Sequence, residues 1–213
     1  MSNIPSKEEM LRAMEQRHGK ELCGIFAKST VAVCGLGGLG SNIAVSLARA
    51  GIGRLILIDF DRVDISNLNR QQYKASQLGL YKTEALAENL REIAPYIELE
   101  AHTVRVDEEN AGKLLKDADI VCEAFDKAEC KAMLTNFVLE AMPQKYLVAA
   151  SGMAGLGSAN GIKTRRVTNR FYLCGDTVSD VENGMCLFSP RVMACAAHQA
   201  QTVLRILAEE FEP

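Results

Sequence analysis

The stretch VAVCGLGGLGSNIAVSLARAG, Val31 to Gly51, constrains this chain more than any other. Val31 to Gly35 is a short, β-branched apolar run ending in glycine, which reads as a buried strand. Ser41 to Gly51 has helical composition and a glycine at its carboxyl end, where helices are commonly closed. Between them Gly35-Leu36-Gly37-Gly38-Leu39-Gly40 fits G-x-G-x-x-G. A strand that turns into a helix this abruptly needs positions without a side chain, for the turn itself and for close approach of backbone to a ligand. The free N–H groups at the start of such a helix suit phosphate. Asp59 ends the next apolar run, Arg54 to Asp61, and lies 19 residues beyond Gly40, where a carboxylate accepts hydrogen bonds from ribose hydroxyls. These features predict a nucleotide site without saying which nucleotide, because a nicotinamide-dependent oxidoreductase shares the pattern up to this point.

The alternation of strand and helix continues. A helix is expected over about Tyr81 to Ile93, closed by Pro95, then strands over Ile97 to Val104 and Asp119 to Phe125. A helix follows over Ala128 to Met142 and a fifth strand over Tyr146 to Ser151. GIKTRRV and FYLCG read as antiparallel strands, and Ser189-Pro190 as the cap and first-turn proline of a helix reaching about Glu210. The predicted fold is α/β: a doubly wound, largely parallel, Rossmann-like sheet with a short antiparallel carboxyl-terminal extension. Its ligand should lie outside the carboxyl ends of the strands. The segment from Lys7 to about Phe26, apolar at Met10, Leu11, Met14 and Leu22, reads as a helical arm that packs on this subunit or on a partner. The expected division is therefore an amino-terminal arm over 1–28 and one domain over 29–213.

Composition removes several classes of function. With 48% hydrophobic and 24% charged residues the chain is neither disordered nor collagen-like. A net charge of -3 argues against a protein whose main task is gripping nucleic acid or an anionic membrane. Apolar runs such as Leu55 to Ile58 are too short to span a bilayer. The first twenty residues lack the apolar core of a signal peptide, so a cytoplasmic location is expected. Seven cysteines fit that compartment as reduced thiols, with Cys34 and Cys122 as small buried hydrophobes. None of the seven forms a C-x-x-C pair, which speaks against a zinc ribbon or a thioredoxin-like redox site.

DFDRVDISNLNRQQY, Asp59 to Tyr73, places three acids, two asparagines and two arginines directly above the strand ends. An oxidoreductase needs little there beyond the ribose carboxylate. A triphosphate site needs cations for the β- and γ-phosphates and a carboxylate for magnesium. Arg70 has the guanidinium geometry to fork onto phosphate oxygens. Asn67 and Gln71 supply neutral donors, and Lys82, opening the next helix, a point charge directed at the same pocket. Asp126, just past the fourth strand in EAFDKAE, belongs to the same rim. It reads either as a magnesium or nucleotide contact or as a helix cap.

GLGGLGSN, DFDRVDISNLNRQ, the lysine opening the following helix and the aspartate after the fourth strand together resemble the ubiquitin-activating superfamily. They resemble more closely the ThiF-type bacterial sulfur-carrier-protein adenylyltransferases of thiamin and molybdopterin synthesis. The similarity runs from about Thr30 to Leu207. It implies a nucleotidyltransferase that uses ATP and magnesium to adenylate the carboxyl-terminal glycine of a small ubiquitin-like carrier ending in Gly-Gly. On the family pattern Gly35, Gly37, Gly38 and Gly40 cradle the nucleotide, Asp59 holds the ribose with Asp61 beside it, and Asn67 and Gln71 support the phosphates. Arg70 and Lys82 neutralise the polyphosphate, and Asp126 positions magnesium. The family is homodimeric, with an arginine reaching in from the partner's amino-terminal helix; Arg17 and Arg12 both qualify. Commoner members carry two C-x-x-C pairs for zinc, and this chain has none, so it resembles the short zinc-less branch and no zinc is expected. Cys186, in ENGMCLFSP, lies near but about four residues past the family's crossover-loop cysteine, which favours an incidental thiol over a covalent role. His198 on the last helix reads as a helix-face residue. Three rivals remain: the nicotinamide-dependent oxidoreductase, a nucleotide-binding scaffold that recruits a carrier without activating it, and a superfamily member that activates another carboxylate, such as one on a modified tRNA.

Overall fold

The computed structural model describes residues 4–180 and 184–213. One seven-stranded sheet carries the architecture, in the order β3-β2-β1-β4-β5-β7-β6. Its strands are β1 (Thr30–Cys34), β2 (Arg54–Ile58), β3 (Glu98–His102), β4 (Ile120–Glu123), β5 (Tyr146–Ala150), β6 (Lys163–Thr168) and β7 (Phe171–Gly175). All neighbours pair in parallel except β6, which returns antiparallel along β7 as the extension at one edge. The helices are α1 (Lys7–His18), α2 (Lys20–Phe26), α3 (Gly38–Ala50), α4 (Lys82–Ile93), α5 (Ala111–Leu115), α6 (Ala128–Ala141) and α7 (Ser189–Leu207). The doubly wound α/β reading therefore holds.

Burial on both faces explains why the central strands are apolar throughout rather than alternating. Val31, Val33, Leu55 and Leu57 pack with α3, α4 and α7 on one face. Ala32, Cys34, Ile56 and Ile58 pack with α5 and α6 on the other. β3 is an edge strand, partly exposed on each face, which is why its sequence alternates. Strand order reverses between β1 and β4, each flanking the other, and the crevice of such a sheet opens at the carboxyl ends there.

Several boundaries differ from expectation. The amino-terminal segment is two helices, broken at Gly19 with φ 87°. α1 buries no residue, whereas α2 seats Cys23 and Phe26 in the core against α7. α3 starts at Gly38, so the last glycines of the motif lie inside its first turn. Ser189 is not the cap of α7: Phe188 holds that position, and the Ser189 hydroxyl points to Met193 Sδ at 3.4 Å. Pro190 does lie in the first turn, and the helix ends at Leu207. α5 carries no pattern long enough to be seen in sequence, because one short turn is shaped by packing of Ala111 and Leu115.

Candidate active site

β1 delivers the chain to Gly35, which adopts φ +88°, and a Cβ there would lie 2.7 Å from the Ala124 carbonyl oxygen beyond β4. A Cβ on Gly40 would sit 1.8 Å from the Gly35 carbonyl oxygen, so this glycine lets α3 close onto the turn. Gly37 differs: a Cβ would meet nothing nearer than Gln71 Nε2 at 3.7 Å. Gly35 and Gly40 are thus demanded by backbone packing, Gly38 is crowded by Val192 Cγ1 at 2.9 Å, and Gly37 leaves open space. No side chain caps α3, leaving its first amides free of a side-chain partner at this open side.

Asp59 is buried and grips the loop itself. Its Oδ2 accepts from Leu36 N–H at 2.6 Å and its Oδ1 from Asp61 N–H at 2.8 Å. Burial raises its pKa, against the lowering effect of Lys82 and these amides. Tyr73 Oη donates to the Leu36 carbonyl at 2.7 Å, so both polar groups of Leu36 are held by side chains. Lys82, the first residue of α4, is buried, with Nζ 3.0 Å from Asp61 Oδ2.

Arg70 and Gln71 cover the open side of the loop. The Arg70 stem lies beside Gly38, and its Nη1 donates to the Ser66 carbonyl at 3.1 Å and to Asn69 Oδ1 at 2.8 Å. Among the described residues no carboxylate forms an ion pair with it. Gln71 is buried, and its Oε1 has no hydrogen-bond partner among the described residues. Asn67 is half-buried, its Nδ2 donating to Ser66 Oγ at 3.3 Å. Two residues that sequence reasoning missed hold this segment: Asn42 Nδ2 donates to the carbonyls of Gly38 and Arg70 (2.6 and 3.1 Å), and Ser41 Oγ accepts from Gln72 N–H at 3.2 Å. Polar residues at the start of a helix in a chain this apolar were the available signal.

Across the cleft, Asp126 is exposed at the end of β4. It is not the cap of α6, since Lys127 occupies that position. Just beneath it Glu123, 1% exposed, pairs with Lys131 Nζ at 2.9 Å. Burial raises the Glu123 pKa, and Lys131 opposes it. Beyond β5, Arg191 in the first turn of α7 donates to the carbonyls of Ala154 (3.1 Å), Gly157 and Ser158 (both 2.6 Å) and pairs with Asp176. Amides of Val178 and Ser179 and the guanidinium hold the Asp176 carboxyl at about 2, despite burial. The 184–188 segment crosses this flank: the Cys186 carbonyl accepts from Gly155 N–H at 2.8 Å and the Leu187 carbonyl from Asn69 Nδ2 at 3.5 Å. Cys186 is exposed within it.

The remaining candidates lie elsewhere. Arg12 and Arg17 are exposed on α1, whose Met14 abuts Gly51 at the far end of α3, opposite the strands' carboxyl ends. His198 is on a helix face, its Nδ1 3.0 Å from Thr164 Oγ1, in a groove of about 400 Å³ between β6, α7 and the carboxyl terminus. Among the described residues no three His, Cys, Asp or Glu side chains cluster as a metal site. Magnesium here would rest on one or two carboxylates and on the phosphates of a nucleotide, its usual arrangement in such sites. No helix of the described residues is long and apolar enough to cross a membrane.

Comparison with known proteins places this geometry. Residues 11–213 match the model of the ThiF family. The chain belongs to the ThiF family. Among relatives, "Adenylyltransferase and sulfurtransferase MOCS3" of Dictyostelium discoideum is 32% identical over 97% of this chain and 52% of its own length. "Ubiquitin-like modifier-activating enzyme 5" of Caenorhabditis elegans is 46% identical over 37% of this chain and 19% of its own. This ThiF-family chain thus spans about half or less of the curated relatives it matches. The E. coli tRNA N6-threonylcarbamoyladenosine dehydratase in complex with AMP shares the fold, with a TM-score of 0.86, 22% identity and coverage of 98% and 99% of the two chains. A second structure of that dehydratase, with ATP, has the same TM-score of 0.86 and 22% identity over 97% and 98% of the two chains.

Proposed function

We propose that this chain is an ATP-dependent adenylyltransferase that activates the carboxyl-terminal glycine of a small ubiquitin-like sulfur carrier ending in Gly-Gly. The product serves biosynthesis of thiamin or a related sulfur-containing cofactor in the cytoplasm. The observation that carries this reading is the open Gly37 side of the loop, where uncapped α3 amides and Gln71 Nε2 lie beside the stem of an Arg70 that has no carboxylate partner.

A carboxylate oxygen of the carrier attacks the α-phosphorus, a new P–O bond forms, and the bond to pyrophosphate breaks with its electron pair leaving on pyrophosphate. No base is required, so positioning and charge neutralisation carry the catalysis. Arg70 takes phosphate oxygens by turning from Ser66 and Asn69, which are neutral partners, and Lys82 contributes charge from beneath. Asn67 and Gln71 donate alongside. Asp59, with both oxygens already accepting one amide each, keeps lone pairs for ribose hydroxyls. Asp126 takes magnesium, which when bound supplies further neutralisation of the polyphosphate. Arg12 or Arg17 reaches a cleft only in a second copy, as a homodimer would allow. Cys186 and zinc have no part.

The test is carrier-dependent pyrophosphate exchange with MgATP. Exchange should appear with a Gly-Gly carrier, and replacing Arg70 or Asp126 by alanine should raise the barrier by about 2 kcal/mol or more. A thermal shift with NADH and none with MgATP would instead favour the oxidoreductase. Activation of a carboxylate on a modified tRNA is the second reading, suggested by the tRNA dehydratase, whose chain matches this one over nearly its full length. Exchange stimulated by that tRNA and not by any carrier would establish it. The relative of higher identity, 32%, is named for adenylyl and sulfur transfer, which keeps the carrier as the first reading.

A further inference from the structure

Beside Asp126, the pair of buried Glu123 and partly exposed Lys131 does something that packing alone does not require. Lys131 Nζ lies 2.9 Å from both Glu123 oxygens and donates to the Phe125 carbonyl at 3.0 Å. Glu123 Oε1 in turn accepts from Phe125 N–H at 2.7 Å. Both backbone polar groups of Phe125 are therefore held by one ion pair, and the held carbonyl belongs to the peptide bond that leads into Asp126. Gln199 of α7 adds a donor to the Glu123 carbonyl at 3.0 Å. Asp126 itself makes no hydrogen bond or ion pair with the described residues, so its direction depends on this backbone. Burying the Glu123 charge, even paired, offers little over an apolar residue of the same volume. What apolar residues would not reproduce is the hold on the Phe125 peptide groups.

We propose that Glu123 and Lys131 are positioning residues, fixing the Phe125 turn so that the Asp126 carboxylate is presented to the cleft from a set backbone. The role of Asp126 rests on the adenylylation reading above; the hold on Phe125 does not. Neither residue touches substrate, and the pair acts through Asp126.

The experiment compares wild type with the double variant Glu123→Leu/Lys131→Met, in which no unpaired charge is left in the core. Four readouts are taken: melting temperature, hydrogen exchange of the Phe125 amide, the gain in ATP affinity on adding magnesium, and kcat and KM for pyrophosphate exchange. The melting temperature should be retained while the Phe125 amide exchanges faster. The magnesium-dependent gain should be lost and kcat should fall roughly 10–100-fold, as for removal of groups that orient a metal ligand, with KM for the carrier little changed. Lys131→Arg, which keeps charge and donors, should restore most of kcat. A stable double variant with wild-type kcat, or with the Phe125 amide still protected, would overturn the proposal. If the double variant does not fold, Glu123→Asp decides: it keeps the charge but withdraws the acceptor from Phe125 N–H, and wild-type kcat in it would be equally fatal. Absence of exchange in wild type would overturn the adenylylation reading instead, and the Phe125 amide and the magnesium-dependent binding would still decide whether the pair positions the turn.

Discussion

On the β1–β2 flank of the cleft, the loops are held by the Asp59 carboxylate together with neutral side chains and backbone amides. Asp59 and Tyr73 take Leu36 from two sides, Asn42 and Ser41 take the Arg70–Gln72 backbone, and the Asp61–Lys82 pair lies at the edge with Asp61 half-exposed. On the β4–β5–α7 flank, opposite charges pair with each other inside the protein: Glu123 with a partly exposed Lys131, and Asp176 with Arg191. The first arrangement leaves a guanidinium, Arg70, with only neutral partners and able to turn to a ligand. The second uses its guanidinium, Arg191, to bond three carbonyls and a carboxylate of the protein. The same side chain is thus a candidate ligand-binding group on one flank and a structural tie on the other, and its partners decide which.

The sharpest break of this comparison sets the two arginines against each other. Arg191→Ala leaves Asp176 buried without its counter-charge and three carbonyls without their donor, and should cost about 3–5 kcal/mol of stability. Arg70→Ala removes a half-exposed group and should change stability by no more than about 0.5 kcal/mol. Chemical denaturation of both variants at neutral pH measures the difference. Similar losses would erase the distinction between the flanks.

The glycines give the next largest effect, within one flank. Gly40→Ala drives a Cβ against the Gly35 carbonyl and should cost about 3 kcal/mol, the upper end of overpacking. Gly37→Ala has room and a φ of -75°, so its stability should stay within about 0.5 kcal/mol of wild type. The stabilisation of Gly37→Ala by MgATP in a thermal melt should nonetheless shrink, because the methyl group occupies the open side where phosphate would approach.

Acid separates Asp176 from Asp59 by sign. Asp176 is held at about 2, below its ordinary 3.8, so its ionised form stabilises the fold above that ordinary value and the contribution is lost as pH falls through about 2. The stability difference between wild type and Asp176→Asn should therefore shrink by about 2 kcal/mol as pH is lowered from about 5 to below about 2. Asp59 works the other way. Its raised pKa means the folded protein holds the proton more tightly, so this contribution is present at low pH and is lost as pH rises through the folded value. The Asp59→Asn difference should run with the opposite slope in the same urea titrations.

What could be read from sequence follows the same division. The parallel sheet, the glycine turn and the Asp59–Lys82 region were legible because two-face burial leaves apolar runs and because special backbone demands glycine at fixed spacing. Asp126 was legible as the residue following a strand. Glu123, Lys131, Asp176 and Arg191 were not: in sequence each is an ordinary charged residue, and only the fold shows that it is paired and bonded to backbone. The break at Gly19 and the start of α7 at Ser189 were missed because local cap signals compete with tertiary packing, as with Phe188 in place of the serine.

Tyr73 shows how far the β1–β2 flank depends on single hydrogen bonds. Tyr73→Phe keeps the buried ring and removes only the donor to the Leu36 carbonyl. The loss should be about 1–3 kcal/mol, the cost of leaving a buried acceptor without its partner, and less than for Arg191→Ala. Leu36 would still be held through its amide by Asp59, so the glycine turn should survive and MgATP should still raise the melting temperature of the variant. Adding Asp59→Ala removes the second hold. If the two residues grip one peptide unit together, the double variant should lose more nucleotide-dependent stabilisation than the sum of the single losses, whereas strict additivity would mean that each holds the loop on its own.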